Sequence, residues 1–307
     1  MNVIFMGTPG FAVPTLEKLH ENGHSISLVV TQPDKPSGRG KKLKKSEVKE
    51  KAEELGLDIF QPDKIKRKES IDLLKSYNPD VIVVVAYGQI LSKDILDIPK
   101  YGCINVHASL LPKLRGAAPI NWAIINGEKK SGVTTMMMDV GLDTGDIILK
   151  TEIDISEDMN AEELHDALKI DGANLLIETL KAIEKKVVIR AAQVDSLSNY
   201  APMLNKENTR INWNDASENI HNKIRGLSTW PCAYFILDGK NVKVYKSSYI
   251  KEKTDVEPGS VIKVNDKGIY VASGDGIVII KEFQMPGKNR MSVSAYLRGN
   301  KFPEKSL

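Results

Sequence analysis

Short runs of β-branched residues alternate with helical patterns through the first half of this 307-residue chain. The strongest run, Val81–Ala86 (VIVVVA), is apolar on both faces, as is typical of a parallel strand covered by helices on each side. Ser46–Leu55 reads as a helix with Ser46 at its N-cap. The alternation predicts a doubly wound α/β domain with a mainly parallel, Rossmann-like sheet.

The second half of the chain follows a different pattern. A long helix is predicted over Asn160–Lys186, capped by Asp158 or Asn160. Residues 190–205 show little periodicity and read as a linker. Beyond them, about five short strands separated by turn signals such as Asp238-Gly239 predict a small, OB-like β-barrel or sandwich. We therefore predict a catalytic domain over 1–189, a linker over 190–205 and a C-terminal domain over 206–307.

Composition excludes several classes of protein. Hydrophobic residues make up 41% of the chain and charged residues 27%, so a disordered or fibrous chain is excluded. Cys103 and Cys232 are the two cysteines, too few for a disulfide framework and without zinc-type spacing, which favours a reducing, cytoplasmic setting. No signal peptide or bilayer-spanning run is recognisable. Nothing in the sequence demands a partner subunit, so we expect a monomer.

The first glycine turn, Gly7-Thr8-Pro9-Gly10-Phe11, follows the first predicted strand. A dinucleotide-binding loop has a second glycine where the backbone meets the pyrophosphate, and here that position is Pro9. Asp34 lies in a loop rather than at the end of the second strand. The turn therefore reads as a tight strand-to-helix connection, and nicotinamide binding is disfavoured.

A polar pair, Asn105 and His107, closes the next predicted strand. Residues two apart point to the same face of a strand, and ligands bind at the carboxyl ends of strands in open α/β sheets. The pair is equally compatible with a hydrogen-bonded core histidine beside a turn former. Asp143 or Asp146, in a later glycine-bounded turn, either bonds its own backbone or reaches His107. A carboxylate beside an imidazole fixes its tautomer and favours its charged form.

Two loops have unusual composition. The segment from Ser109 to Ile120 is apolar and punctuated by proline and glycine, and it either walls a pocket or is an ordinary buried connection. The loop from Lys35 to Lys45 holds six cations and no acid. Most basic runs are solvated surface, but the glycines in this one are compatible with a phosphate-gripping loop.

Together these motifs resemble the methionyl-tRNA formyltransferase family. The resemblance rests on GTPxFA at the start, QPDKPSGRGKKL, NVHASLLPKLRGAAPI, GLDTGDI, IRGLSTWPCAYF and IIKEFQMPGKNRMS, in this order from Met1 to about Lys301. The asparagine, histidine and aspartate are shared by the wider superfamily that uses 10-formyltetrahydrofolate, whereas the GRGKK loop and the C-terminal segments narrow it to the tRNA enzyme. Lys113-Leu114 and Ser228-Thr229 depart from the common pattern.

The resemblance implies transfer of a formyl group from 10-formyltetrahydrofolate, as co-substrate, to methionyl-initiator tRNA, without a metal. It assigns catalysis to Asn105, His107 and Asp143. Folate contacts fall on Ser109, Leu110, Leu111, Pro112, Tyr87, Gly88 and Gln89. Contacts with tRNA fall on Arg39, Lys41, Lys42, Lys44, Lys45 and Lys206.

The chemistry suggests a role for each catalytic candidate. Attack by the methionyl amine builds negative charge on the formyl oxygen, and hydrogen-bond donors aimed at that oxygen lower the barrier. We expect Asn105 and a protonated His107 to be those donors. Asp143 is expected to hold His107 and to help take the proton of the incoming amine.

Two alternatives use the same residues differently. One is a formyltransferase or hydrolase with a small substrate, such as an amino sugar, which needs neither the basic loop nor a basic C-terminal domain. The other is an RNA-binding module with a vestigial α/β domain, against which the complete set of three catalytic candidates argues. The uneven distribution of charge favours an RNA substrate. Residues 206–307 carry a net charge of +6, whereas residues 1–205 carry a net charge of −3.

Overall fold

The computed structural model describes residues 1–37, 42–205, 207–303 and 306–307. Its strands are β1 (Asn2–Gly7), β2 (Ser25–Val30), β3 (Lys35–Ser37), β4 (Lys42–Lys44), β5 (Ile59–Phe60), β6 (Val81–Val85), β7 (Cys103–His107), β8 (Arg115–Gly116), β9 (Lys130–Met137), β10 (Ile147–Asp154), β11 (Tyr200–Ala201), β12 (Ala233–Leu237), β13 (Lys240–Ile250), β14 (Val261–Asn265), β15 (Gly268–Ala272), β16 (Ile277–Gln284) and β17 (Met291–Ser292). Its helices are α1 (Val13–Glu21), α2 (Glu47–Glu54), α3 (Lys68–Ser76), α4 (Lys93–Leu96), α5 (Pro119–Ile125), α6 (Ala161–Glu184), α7 (Ser217–Gly226) and α8 (Val293–Leu297).

The main sheet has the strand order β10-β9-β7-β6-β1-β2-β5. Strands β5, β2, β1, β6 and β7 run parallel, and β9 is antiparallel to β7. Read in chain order, the parallel strands follow the doubly wound pattern, in which the direction of winding reverses beside β1. The predicted α/β domain with a mainly parallel sheet is confirmed.

Both faces of this sheet are covered. On one face, Ile82 packs in a cluster with Leu74 of α3 and Ile95 of α4. On the other, α6 approaches β7 so closely that a Cβ on Gly172 would lie 3.0 Å from Cγ1 of Val106. Every residue of β6 is consequently buried, which explains its uninterrupted run of apolar residues.

Two predicted helix caps form as expected. Ser46 Oγ accepts a hydrogen bond from the Lys49 amide at 3.1 Å. Asn160 Oδ1 accepts from the amides of Glu162 and Glu163, at 2.9 and 3.1 Å, while the Glu163 carboxylate accepts from the Asn160 amide at 2.9 Å. Asn160 is therefore the cap of α6, in a reciprocal arrangement that satisfies amides left free at a helix start.

Helix α7 has no clear helical pattern in the sequence, for a physical reason. Ile220 and Ile224 supply its buried apolar surface, but His221 and Arg225 are also buried. The Arg225 guanidinium donates to carbonyls that include that of Met159, at 2.8 Å. Buried polar side chains that are satisfied by distant carbonyls leave no apolar periodicity in the sequence.

The C-terminal strands form an antiparallel sheet in the order β12-β13-β16-β15-β14, and β17 pairs with β16. Shifts in register along β13 allow this long strand to bend. Phe235, Phe283 and Ile224 meet in its core. The predicted small β domain is confirmed.

The chain folds into two compact units, each built from several segments. The first contains Met1–Gly116, Ser131–Ile153 and His165–Tyr200, and the second contains Ala117–Lys130, Asp154–Leu164 and Ala201–Leu307. The division at 189 and 206 stays a prediction. Across the described ranges, no helix combines the length and the apolar composition that crossing a membrane requires.

Candidate active site

Asn105 and His107 end β7 on the same face of the strand, and both are buried, with 9% and 6% of their surface exposed. Asp143 lies on the loop after β9. Asn105 Nδ2 is 3.4 Å from Asp143 Oδ1, and His107 Nδ1 is 3.6 Å from Asp143 Oδ2. The structure brings these three predicted site residues together at the carboxyl edge of the sheet, where an open α/β sheet binds ligands.

The ring of His107 is oriented by a backbone carbonyl. Its Nε2 lies 3.0 Å from the carbonyl oxygen of Leu114. A carbonyl can only accept, so Nε2 carries a hydrogen and donates. The nitrogen that remains for chemistry is Nδ1, which faces Asp143.

Asp143 is held at both its side chain and its backbone. Oδ2 accepts from the Gly116 amide at 2.8 Å. The Asp143 carbonyl accepts from Gln193 Nε2 at 2.8 Å, and the same amide nitrogen reaches the Gly145 carbonyl at 2.8 Å. Asp143 has a φ of 54°, an uncommon conformation for a residue with a side chain, which these contacts support.

The segment from Ser109 to Pro112 is fixed by the neighbouring strands. Thr134 of β9 accepts from the Leu111 amide at 3.2 Å and donates to the Ser109 carbonyl at 2.7 Å. Lys150 of β10 donates to the Leu111 carbonyl. The segment is therefore a rigid wall beside His107, built largely from backbone.

Cys103 shares the face of Asn105 and His107 but takes no part in their cluster. Burial raises the pKa of its thiol to about 12, so it stays protonated and is a poor nucleophile. In the described part of the chain, no group of three or more His, Cys, Asp or Glu side chains is arranged to hold a metal ion.

Comparison with known proteins identifies the family. A model named Formyl transferase matches residues 1–180, and a model named Formyl transferase, C-terminal domain, matches residues 203–301. The methionyl-tRNA formyltransferase of Clostridium novyi (strain NT) is 53% identical over 308 residues, covering 100% of this chain and 99% of that protein. The chain belongs to the methionyl-tRNA formyltransferase family. Its counterpart in Clostridium acetobutylicum is 54% identical over 98% of this chain and 97% of that protein.

A solved structure shows the same fold at lower identity. WlaRD, a sugar 3N-formyl transferase crystallised in the presence of dTDP and 5-N-formyl-THF, superimposes with a TM-score of 0.68. It is 23% identical, over 94% of this chain and 99% of that one. The superposition shows that the two chains share a fold, and it carries no information about the substrate of this member of the methionyl-tRNA formyltransferase family.

The residues Tyr87–Gln89, also predicted to contact folate, differ in whether their side chains already have hydrogen-bond partners. Tyr87 is buried, its hydroxyl has no hydrogen-bond partner among the described residues, and burial raises its pKa. Gln89 is already engaged, since its amide accepts from the Ile65 amide at 2.9 Å and donates to the Pro62 carbonyl at 3.1 Å. Gly88 has a φ of 89°, which favours glycine. A folate contact of all three stays a prediction.

The basic loop predicted to bind tRNA is only partly described. Arg39, Lys41 and Lys206 lie outside the described residues. The neighbouring β3 and β4 pair antiparallel, with Lys42 and Lys44 on β4.

Two of the predicted cations have acidic partners. Lys44 Nζ is 2.8 Å from Glu47 Oε1, and Lys45 Nζ is 2.7 Å from Glu53 Oε2. These hydrogen-bonded carboxylates raise the pKa of both lysines. Both side chains are exposed, so each ion pair is weak and an RNA phosphate can compete with it.

Four residues that hold the catalytic cluster in place have no role that the sequence predicts. These are Leu114, Gly116, Gln193 and Asn199. Asn199 Oδ1 accepts from the Leu114 amide at 2.5 Å, and its carbonyl accepts from the Arg115 amide at 3.1 Å. Contacts through backbone atoms of distant residues have no sequence pattern. Leu114 and Gly116 lie in the segment from Ser109 to Ile120, which was predicted as a possible pocket wall. Gln193 and Asn199 lie in the segment predicted as a linker.

Proposed function

We propose that this protein transfers the formyl group of 10-formyltetrahydrofolate to the α-amino group of methionyl-initiator tRNA. The observation that carries the proposal is 53% identity, across both domains, to a protein named methionyl-tRNA formyltransferase. The buried cluster of Asn105, His107 and Asp143 supports the chemistry. This function puts the protein in the cytoplasm, where we expect it to act as a monomer.

Two groups are assigned as hydrogen-bond donors to the formyl oxygen. Asn105 Nδ2 carries a second hydrogen besides the one directed towards Asp143, and His107 Nδ1 is not engaged by Leu114. Both are donors when His107 is protonated. Their burial supports this assignment, because a preorganised donor stabilises developing charge far more strongly away from water than in it.

Asp143 is assigned as the base that accepts the proton of the methionyl amine. The amine must lose this proton as its nitrogen bonds to the formyl carbon, and a carboxylate within reach accepts it directly or through water. Oδ2 accepts from the Gly116 amide at 2.8 Å, whereas Oδ1 has only the longer contact with Asn105 Nδ2 at 3.4 Å, so Oδ1 is the more available oxygen. The same carboxylate faces His107 Nδ1, with Oδ2 3.6 Å from that nitrogen.

Two exposed loops suit the ring system of a folate, which supplies the formyl group when bound. Val140 and Leu142, on the loop that carries Asp143, are 73% and 53% exposed, and Ile90, next to Gln89 on the loop after β6, is 69% exposed. Large apolar side chains left exposed on loops are typical of a ligand site. We propose that these three side chains, with Ser109–Pro112 and Tyr87–Gln89, contact the folate.

Positive charge supports the RNA part of the substrate. The C-terminal residues 206–307 carry 17 lysines and arginines against 11 acidic residues. The loop from Lys35 to Lys45 adds six cations without an acid. We propose that Arg39, Lys41, Lys42, Lys44, Lys45 and Lys206 contact tRNA phosphates.

Replacing Lys41 or Lys42 with alanine is expected to flatten the salt dependence of tRNA affinity. If each lysine neutralises one phosphate, the slope of log affinity against log salt decreases by about one unit per substitution. Lys68→Ala is the matched control, since it removes the same charge from α3, where Lys68 pairs with Asp72. An unchanged slope in both loop variants would remove the loop from the RNA-binding surface.

Binding of uncharged initiator tRNA in a native gel distinguishes this function from small-substrate formyl transfer. We expect the wild-type protein to retard the tRNA at low salt and to release it as salt rises. The alternative, an amino-sugar formyltransferase or a formyltetrahydrofolate hydrolase, predicts no retardation at low salt.

A further inference from the structure

The segment predicted as a linker makes specific contacts with the catalytic loops. Residues up to Tyr200 belong to the first compact unit. Within them, Gln193 reaches the loop that carries Asp143, and Asn199 reaches Leu114, whose carbonyl orients His107. Two side chains of one short segment thus contact the supports of two catalytic candidates.

Gln193 uses its whole amide group. Its Nε2 donates to the carbonyls of Asp143 and Gly145, both at 2.8 Å. Its Oε1 accepts from Arg115 Nε at 3.1 Å and from Arg115 Nη2 at 2.9 Å. An amide offers two hydrogens and two lone pairs, and all four are engaged here. Gln193 therefore ties the Asp143 loop to β8.

Asn199 supports the histidine side of the cluster. It accepts from the Leu114 amide through Oδ1 at 2.5 Å and from the Arg115 amide through its carbonyl at 3.1 Å. Leu114 has a φ of 59°, which is uncommon for a residue with a side chain and persists where neighbours hold the backbone. Its carbonyl is the acceptor for His107 Nε2.

We infer that Gln193 and Asn199 are positioning residues that set the spacing of the His107–Asp143 pair and the orientation of the His107 ring. The inference rests on the proposed function. Neither residue touches a reacting atom. Gln193 fixes the backbone on which Asp143 stands, and Asn199 fixes the carbonyl that keeps the hydrogen on His107 Nε2. A displacement of either support moves Nδ1 relative to the carboxylate.

Gln193→Ala and Gln193→Glu test the first residue. Both are expected to lower kcat of formyl transfer about a hundredfold, as displacement of a catalytic group by about 1 Å does. KM for methionyl-tRNA is expected to change little, because the substrate contacts remain. Gln193→Glu keeps an acceptor for Arg115 but has no hydrogen for the two carbonyls, so it separates the two contacts. Asp195→Asn is the control, since exposed Asp195 pairs with the same Arg115.

Asn199→Ala and Asn199→Asp test the second residue. The alanine variant loses the acceptor for the Leu114 amide, and we expect a comparable loss of kcat. The aspartate variant keeps an oxygen at that position and is expected to retain most of the activity. Such rescue would not follow from a general loss of stability, which thermal unfolding measures in parallel.

A second measurement does not depend on activity. The imidazole nitrogen NMR signals of His107, assigned with a His107→Asn variant, are expected to show a protonated Nε2 in the wild type. Gln193→Ala should shift the Nδ1 signal, and Asn199→Ala should shift the Nε2 signal, because the Leu114 carbonyl that accepts from Nε2 loses its support. Unchanged kcat together with unchanged imidazole signals would overturn the inference. A wild type that transfers no formyl group would contradict the proposed function instead, while the imidazole signals still decide the positioning role.

Discussion

Replacing Asp143 with asparagine is expected to lower kcat of formyl transfer about a thousandfold, within the range measured for loss of a positioned general base. Asparagine has nearly the same shape and still accepts from the Gly116 amide, so the loop is expected to remain in place. It cannot accept the proton of the methionyl amine, because its side chain is neutral and an amide is a very weak base. Single-turnover formylation measures the loss, and a native gel should show unchanged tRNA affinity.

Asp146→Asn is the matched control for this prediction. Asp146 lies three positions further along the same loop, and its carbonyl accepts from the Met137 amide, a bond that the substitution leaves intact. It makes the same change of charge outside the cluster. Activity of the Asp143 variant equal to that of the Asp146 variant would show that Asp143 has no catalytic role.

Replacing Asn105 with alanine is expected to lower kcat on the order of a hundredfold or more, the typical effect of removing one donor to a developing oxyanion. The second hydrogen on Nδ2 is the group lost. Because the donor acts as charge develops, KM for both substrates should change less than kcat. Initial rates at varied concentrations of each substrate measure the two effects separately.

Cys103→Ala provides the comparison for Asn105→Ala. Cys103 is buried on the same face of β7, two residues earlier, and lies outside the cluster. Its truncation should cost about 1 kcal/mol of stability through a small cavity, with kcat unchanged. If both variants lost activity in proportion to their loss of stability, Asn105 would be a structural residue.

Local signals made most of the fold predictable. The uninterrupted apolar run of β6 predicted a strand buried on both faces. Ser46 and Asn160 indicated where α2 and α6 begin. The spacing of Asn105 and His107 put both side chains on one face of β7. Each of these properties depends on residues within a few positions of one another, so each is recorded in the sequence pattern.

The supports of the site were not predictable in the same way. Gln193 acts 50 residues from Asp143, and Asn199 acts 85 residues from Leu114. Each contact is with a backbone atom, which any residue type presents. Helix α7 was hidden for a related reason, because buried Arg225 finds its carbonyl partners 66 and 69 residues away. Only the folded chain brings such groups together.

Formyl transfer to the amine of methionyl-tRNA can be detected in a single assay. Purified wild-type protein is incubated with 10-formyltetrahydrofolate and methionyl-initiator tRNA, and the amino acid released from the recovered tRNA is identified by mass spectrometry. We expect N-formylmethionine, formed only when protein, folate and charged tRNA are all present. Unmodified methionine on the tRNA, with formate released into solution or a formylated amino sugar formed in a parallel reaction, would contradict it.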